Sequence, residues 1–237
     1  MSRPSVARPS APARDGRDRL SSTPVGTAPD TRTRHASAAL RIGQAAAIGS
    51  VCGLAWAGSL RAYMAELNSA LSTVTWGGTF VGILLPGVLA GAALGAATAI
   101  EPTVRGRRAL RWCAAAPLAF AVFPMLLPGQ LAALLTTGLG GGAVGVALGG
   151  LAGGYALGGR RRWARWMTAL VWSVIIVGVA ATVPPIGGPE LAASEPRGWW
   201  IMLLAASLMI LLGLAASIPF RRLSAYRESH TPQLVET

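Results

Sequence analysis

Two short clusters of arginine are the residues in this sequence best suited to chemistry. Arg105, Arg107, Arg108 and Arg111 form the first, and Arg160, Arg161, Arg162 and Arg165 form the second. A guanidinium is charged at every physiological pH and donates hydrogen bonds to phosphate or carboxylate oxygens. Each cluster lies in a turn between apolar stretches, flanked by Trp112 in one case and by Trp163 and Trp166 in the other. That setting predicts a fixed topology and contact with anionic lipid headgroups. The net charge of +12 would suggest nucleic acid in a soluble protein, but this placement argues against such a partner. The chain has no lysine. With its Ala/Gly/Arg bias this fits GC-rich coding, so the preference for arginine carries no separate message.

A second group, Arg61, Tyr63 and Glu66 with Trp76 beyond them, forms a candidate outer vestibule. The alternative is that these residues cap a long helix and reach back to water. Arg61 and Glu66 are five apart, a poor spacing for an ion pair on one helix.

The remaining reactive residues do not assemble into a catalytic set. His35 and His230 stand in polar tails, and Cys52 and Cys113 stand in separate apolar segments. Their spacing offers neither a metal site nor a disulfide. No serine has a plausible base beside it, and the glycine runs lack the Lys-Ser/Thr and preceding strand of a phosphate loop. The sequence therefore predicts no catalytic residue, no cofactor and no metal, and the chain is not expected to be an enzyme.

The elements that hold these groups follow from composition. Only 13% of the 237 residues are charged and 52% are apolar, with a mean hydropathy of +0.50. Soluble domains carry about 25% charged residues. The composition predicts an all-α integral membrane protein, a six-helix transmembrane bundle in residues 39–220, with spans near 42–60, 76–100, 110–127, 131–157, 166–183 and 199–219. Spans of this length must be helices, because only a helix satisfies its own backbone in lipid. A barrel would show alternating segments of about ten residues, and none is present. Pro117 and Pro124 predict a kinked or re-entrant third segment. Residues 1–38, rich in Arg, Pro and Ser, read as a disordered tail, and 221–237 as a second polar tail.

Of the 21 arginines, all but Arg61 and Arg197 fall in the two tails or in the turns after the second and fourth segments. Positive charge is retained inside, so both termini are expected in the cytoplasm. Trp76, Trp199 and Trp200 then mark outer ends, and Glu101 pairs with nearby arginines. Trp56 and Trp172 lie deeper, as packing residues.

Glycines recur at four-residue spacing: Gly87, Gly91 and Gly95 in the second segment, and Gly141, Gly145, Gly149 and Gly153 in the fourth, with a further row at Gly150, Gly154 and Gly158. Such rows form a groove that lets another backbone approach closely. The groove serves helix packing within the chain, which predicts that the second and fourth segments are central. A dimer face or a pore wall is the functional alternative. Shifted by 54 residues, Gly87–Trp112 overlays Gly141–Trp166, including both arginine turns. Duplication and shared composition both account for this.

No Asp, Glu, Lys, Arg or His falls within the span cores, which weakens ion-coupled transport. The sequence therefore predicts a structural or interaction component of a bacterial cytoplasmic membrane. Its partners would be anionic lipid and, through the glycine faces, a second copy or another membrane protein. The alternative is a small permease, channel or transporter subunit for a neutral or weakly polar solute.

Overall fold

The computed structural model describes residues 31–67, 72–101, 103–126 and 141–229, and all regular structure in them is helical. Helix α1 is Thr31–Leu67. A π-helix, Trp76–Leu84, runs directly into α2, Leu85–Ala99. Helix α3 (Val104–Ala114) and helix α4 (Ala119–Met125) are separated by a 3-10 turn at Ala116–Leu118. Then come α5, Gly141–Gly158; α6, Arg162–Ala181; the short α7, Val183–Gly187; and α8, Pro196–Ser229.

Four helical stretches are long and apolar enough to cross a membrane. They are Ala36–Leu67, Trp76–Ala99, Arg162–Gly187 and Pro196–Ala225, with mean hydropathies from 1.3 to 2.5. The shortest has 24 residues, or about 36 Å at 1.5 Å per residue, against a hydrocarbon core of about 30 Å. By length and hydropathy the chain fits a multi-pass membrane protein. The fourth predicted segment is represented by the shorter apolar helix Gly142–Gly158. Its first part, 131–140, and residues 127–130 before it, where the sequence Pro-Gly-Gln suggests a tight turn, lie outside the described residues.

Several boundaries differ from the sequence expectation. Helix α1 starts at Thr31, inside the stretch read as tail, and continues past Arg61 to Leu67. Helix α8 runs to Ser229, beyond the predicted boundary at 220. Polar flanks extend helices readily once the apolar part has nucleated them, because each added residue gains one backbone bond. The third segment is broken. The Ala115 amide bonds to the carbonyls of Arg111 and Trp112, the Leu118 amide to that of Ala115, and the chain resumes as α4. Pro117, fully buried at the break, has no amide to continue the ladder.

Pro86 accounts for the π-helix in a similar way. It removes the amide that would close an α-type bond to the Gly82 carbonyl. Immediately before it the ladder has widened, with the Leu85 amide bonding to the Phe80 carbonyl five residues back. Thr75 opens the π-helix, its hydroxyl accepting from the Gly78 amide at 3.1 Å.

The centre of the bundle is α8, which packs against α1, α2, α3, α5, α6 and α7. Ile201, Ala205, Leu208, Met209, Leu212 and Ala216 line its buried face. This corrects the expectation that the second and fourth segments are central. A four-residue glycine pattern marks where backbones meet, whereas a hub helix needs buried bulk on several sides, and the sixth segment supplies it.

Candidate functional site

The glycine row of α2 packs on α1. A methyl group placed on Gly91 would overlap the carbonyl oxygen of Gly49, and one on Gly53 would overlap the carbonyl oxygen of Gly87. Gly95 meets the Ala45 carbonyl in the same manner, and Gly87 abuts Ala57. The two backbones therefore touch along three turns, where dispersion and weak Cα–H···O contacts accumulate. The α1 half of this interface is Gly49, Gly53 and Ala57, at the same four-residue spacing as the α2 row.

The glycines of α5 behave differently. Gly150, Gly154 and Gly158 face α8, where added methyls would lie 2.7–3.1 Å from Leu212, Ala216 or Phe220. Gly153 sits under the indole of Trp172, which also covers Gly213 of α8. Gly149 meets Ile175 at 3.3 Å, and Gly145 has nothing within 4 Å. Gly141 begins the helix. The rows related by the 54-residue offset thus have different surroundings.

Trp56 joins α1 to α8. Its indole Nε1 donates to the Leu208 carbonyl at 2.9 Å, and its ring packs on Phe120 of α4 at 5.0 Å between centroids. Beside it lies an apolar groove of about 540 Å³ bounded by α1, α2 and α8, with Cys52, Gly91, Leu94, Leu211 and Ala215 among its walls. The groove follows α1 and α2, and no residue of α5 lines it.

The arginine turns share one end of the bundle. Arg41 of α1 lies 3.9 Å from Glu101, and Arg222 of α8 donates to the Thr98 carbonyl. Between α3, the α5–α6 turn and the last turns of α8 lies a cavity of about 550 Å³. Arg107 and Arg111 reach it from the first turn, and Arg160 and Arg161 from the second. Tyr155, Phe220, Leu223 and Ser224 form much of the rest, and none of the described residues that line it is acidic. Local folding sets this geometry. The Thr103 hydroxyl caps α3 by accepting from the Gly106 amide at 3.1 Å, and Arg165 Nε donates to the Ala156 carbonyl at 3.0 Å. Ser224 Oγ donates to the Gly158 carbonyl at 2.9 Å, which ties α8 to the end of α5. Tyr155 and Phe220 meet edge to face at 5.7 Å. Arg105 and Arg108 are exposed on the outside of α3, and Arg162 and Arg165 line a smaller cavity of about 250 Å³ with Trp166. Tyr155, Phe220 and Ser224 had no signal in the sequence as partners of the arginines, because they come from helices up to 117 residues away.

The opposite end carries the candidate vestibule residues, and they are engaged in binding the chain to itself. Arg61 donates to Ser72 Oγ at 2.7 Å and to the Thr73 carbonyl at 2.8 Å, with Thr79 Oγ1 at 3.5 Å. Glu66 pairs with Arg197 at 2.6 Å, and Arg197 reaches Glu190 at 3.4 Å. Tyr63 is buried, with the Thr182 side chain near its hydroxyl. Trp76 is exposed and stacks on Phe80 at 4.6 Å. Arg61 and Glu66 thus find partners in other segments, as their five-residue spacing required.

Among the described residues no group of three His, Cys, Asp or Glu side chains could hold a metal ion. Comparison of this chain with protein families, with curated proteins and with solved structures returned no match.

Proposed function

We propose that this chain is a structural or interaction component of a bacterial cytoplasmic membrane, with six crossings and with both termini and the arginine turns in the cytoplasm. In this reading α5 and the broken α3–α4 pair act as further crossings beside the four long helices. The observation that carries it is the direct backbone contact of Gly49 and Gly53 with Gly87, Gly91 and Gly95, which leaves no path between α1 and α2. The absence of Asp, Glu, Lys, Arg and His from the predicted span cores points the same way. The arginine end supports a cytoplasmic assignment through retention of positive charge, and it would rest on anionic headgroups.

The experiment is residue-by-residue labelling in intact cells. Cysteines placed at Arg105, Arg160 and Glu190, in a chain carrying Cys52→Ala and Cys113→Ala, are exposed to a membrane-impermeant maleimide. Labelling at 190 alone is expected. Labelling at 105 and 160 from outside overturns the orientation.

A second reading, a small permease or channel for a neutral or weakly polar solute, is favoured by one observation, the groove of about 540 Å³ between α1, α2 and α8. Its wall is almost wholly apolar, which suits acyl chains better than a solvated solute. Solute efflux from proteoliposomes distinguishes the two readings.

A further inference from the structure

The apolar groove beside Trp56 follows from where this chain puts its small residues. Glycine contacts bring α2 against α1 until their backbones touch, so α8 meets a surface with little side-chain bulk. Cys52, Ala55 and Ser59 on α1 and Ala215 on α8 are short, and they leave a slot between these two helices. Its rim is exposed at Cys52, Ala55 and Leu211, and its floor is buried at Ala90, Leu94 and Phe120. The slot therefore opens sideways, toward the lipid of a bilayer.

Its walls offer water few partners. Among the described lining residues, the polar side-chain groups are the Trp56 indole, the Ser59 hydroxyl and the Cys52 thiol. Trp56 donates to the Leu208 carbonyl and Ser59 to the Ala55 carbonyl, each at 2.9 Å. A buried water needs about two to four polar partners, and a thiol is a weak one. Size excludes a helix as occupant. Along α8 the slot runs from Leu208 to Ile218, about 15 Å at 1.5 Å per residue. Spread over that length, a volume of about 540 Å³ gives a mean cross-section of about 36 Å². A helix, about 10–12 Å across with its side chains, needs roughly twice that area or more. Hydrocarbon carbons pack at about 4 Å, so an extended chain fits.

We propose that the slot is a binding site for one acyl chain of a membrane lipid, held between α1 and α8 as part of the folded bundle. In a bilayer the chain gains nothing by leaving water, because lipid tails are as apolar as the walls. What holds it is dispersion. An unfilled slot forfeits contacts along every wall, whereas an inserted chain meets protein atoms on three sides. At about 1.2 Å per bond of extended chain, about 15 Å takes roughly twelve carbons, so the greater part of a common lipid tail is enclosed. The lipid completes the packing between α1 and α8 that the Trp56–Leu208 bond begins. The inference rests on the chain's lying in a membrane and is independent of its orientation there.

The test uses the full chain in phosphatidylcholine vesicles that contain a trace of phosphatidylcholine with a diazirine midway along one acyl chain. Flotation on a density gradient first checks insertion. After illumination, adducts are mapped by tandem mass spectrometry. Labelling is expected to concentrate on Cys52, Ala55, Leu211 and Ala215. It should exceed labelling of Val174 and Val177, exposed apolar residues of α6 outside the slot, because an enclosed chain faces protein on most sides and a boundary chain on one. Ala215→Trp fills the slot. It is expected to cut labelling there about fivefold, equivalent to roughly five to ten lost carbon contacts, and to leave Val174 and Val177 unchanged. Should that variant fail to fold by circular dichroism, Ala55→Leu replaces it, with a loss in the same direction. Slot labelling no stronger than that of Val174 and Val177 means that a second copy or another part of the chain, residues 127–140 included, occupies the slot, and overturns the proposal. Labelling that the filling variant leaves intact overturns it too. A chain that does not float fails the membrane reading and takes this inference with it, whereas a floating chain with an unlabelled slot fails the inference alone.

Discussion

The indole of Trp56 donates its proton to the main-chain carbonyl of Leu208, 152 positions away in sequence. A helical carbonyl keeps a second lone pair after its own ladder bond, and Trp56 uses it to tie α1 to the buried face of α8. Trp172 offers the contrast. Its Nε1 is also buried, yet it has no hydrogen-bond partner.

The two indoles therefore predict different responses to the same substitution. Trp56→Phe loses an interhelical hydrogen bond, which in membrane bundles is worth about 0.6 kcal/mol on average and up to about 1.7. Trp172→Phe removes a donor that bonds to nothing and sacrifices only ring contacts over Gly153 and Gly213. Thermal unfolding in detergent should show the larger loss for Trp56→Phe. A larger loss for Trp172→Phe would mean that its Nε1 has a partner.

Glycine substitutions should divide sharply by position. Gly91→Ala and Gly53→Ala each drive a methyl into a facing backbone carbonyl or glycine, so α1 and α2 must separate. Overpacking of this kind costs about 1–3 kcal/mol. Gly145→Ala meets no atom within 4 Å and gains up to about 1 kcal/mol of helix propensity. Melting temperatures of the three variants check this, and a loss at Gly145 equal to that at Gly91 would mean that another molecule covers Gly145.

The ion pair at the far end is expected to contribute little. Glu66 and Arg197 remain 46% and 53% exposed although they approach to 2.6 Å. Exposed pairs contribute about 0–1 kcal/mol. A double-mutant cycle with Glu66→Gln and Arg197→Gln should return a coupling in that range, falling as salt is raised. A coupling above about 2 kcal/mol, insensitive to salt, would show that the pair is shielded from water.

Arg61 should matter more than its charge suggests. Its three contacts hold the chain from Ser72 to Thr79 against the end of α1. Arg61→Lys keeps the charge but loses the fork. Amide exchange at 72–76 should then accelerate several-fold, with global unfolding nearly unchanged. Unchanged exchange would assign the fixing of this segment to the Thr75 cap alone.

Much of the helical layout could be read before any coordinates. Trp76–Ala99 lies within one residue of its predicted span, because apolar runs bounded by polar turns are a strong signal. Partner choice was harder to read. The α2 glycine row was visible, but its mate on α1 is interrupted by Ser50, Cys52, Leu54 and Trp56, which pattern reading weighs as ordinary span residues. The break at Pro117 was anticipated as a kink, whereas the π-helix ahead of Pro86 was not. A lone proline near a span's start announces only that one amide is missing, and the ladder's answer to it depends on neighbours far away in sequence. The arginines announced themselves, but the wall that turns them into a cavity comes from Tyr155, Phe220 and Ser224 on other helices.

The position of α8 has a consequence for biogenesis. The helix that fills the middle follows in sequence every helix it packs against, so the bundle cannot close until residues 196–229 have been made. Until then α1 and α2 can wait as a self-sufficient hairpin, zipped by backbone contact. Helix α5, by contrast, leaves Gly154 and Gly158 without their eventual cover. A chain ending before residue 196 would therefore carry a bare stripe where the finished fold has a packed interface.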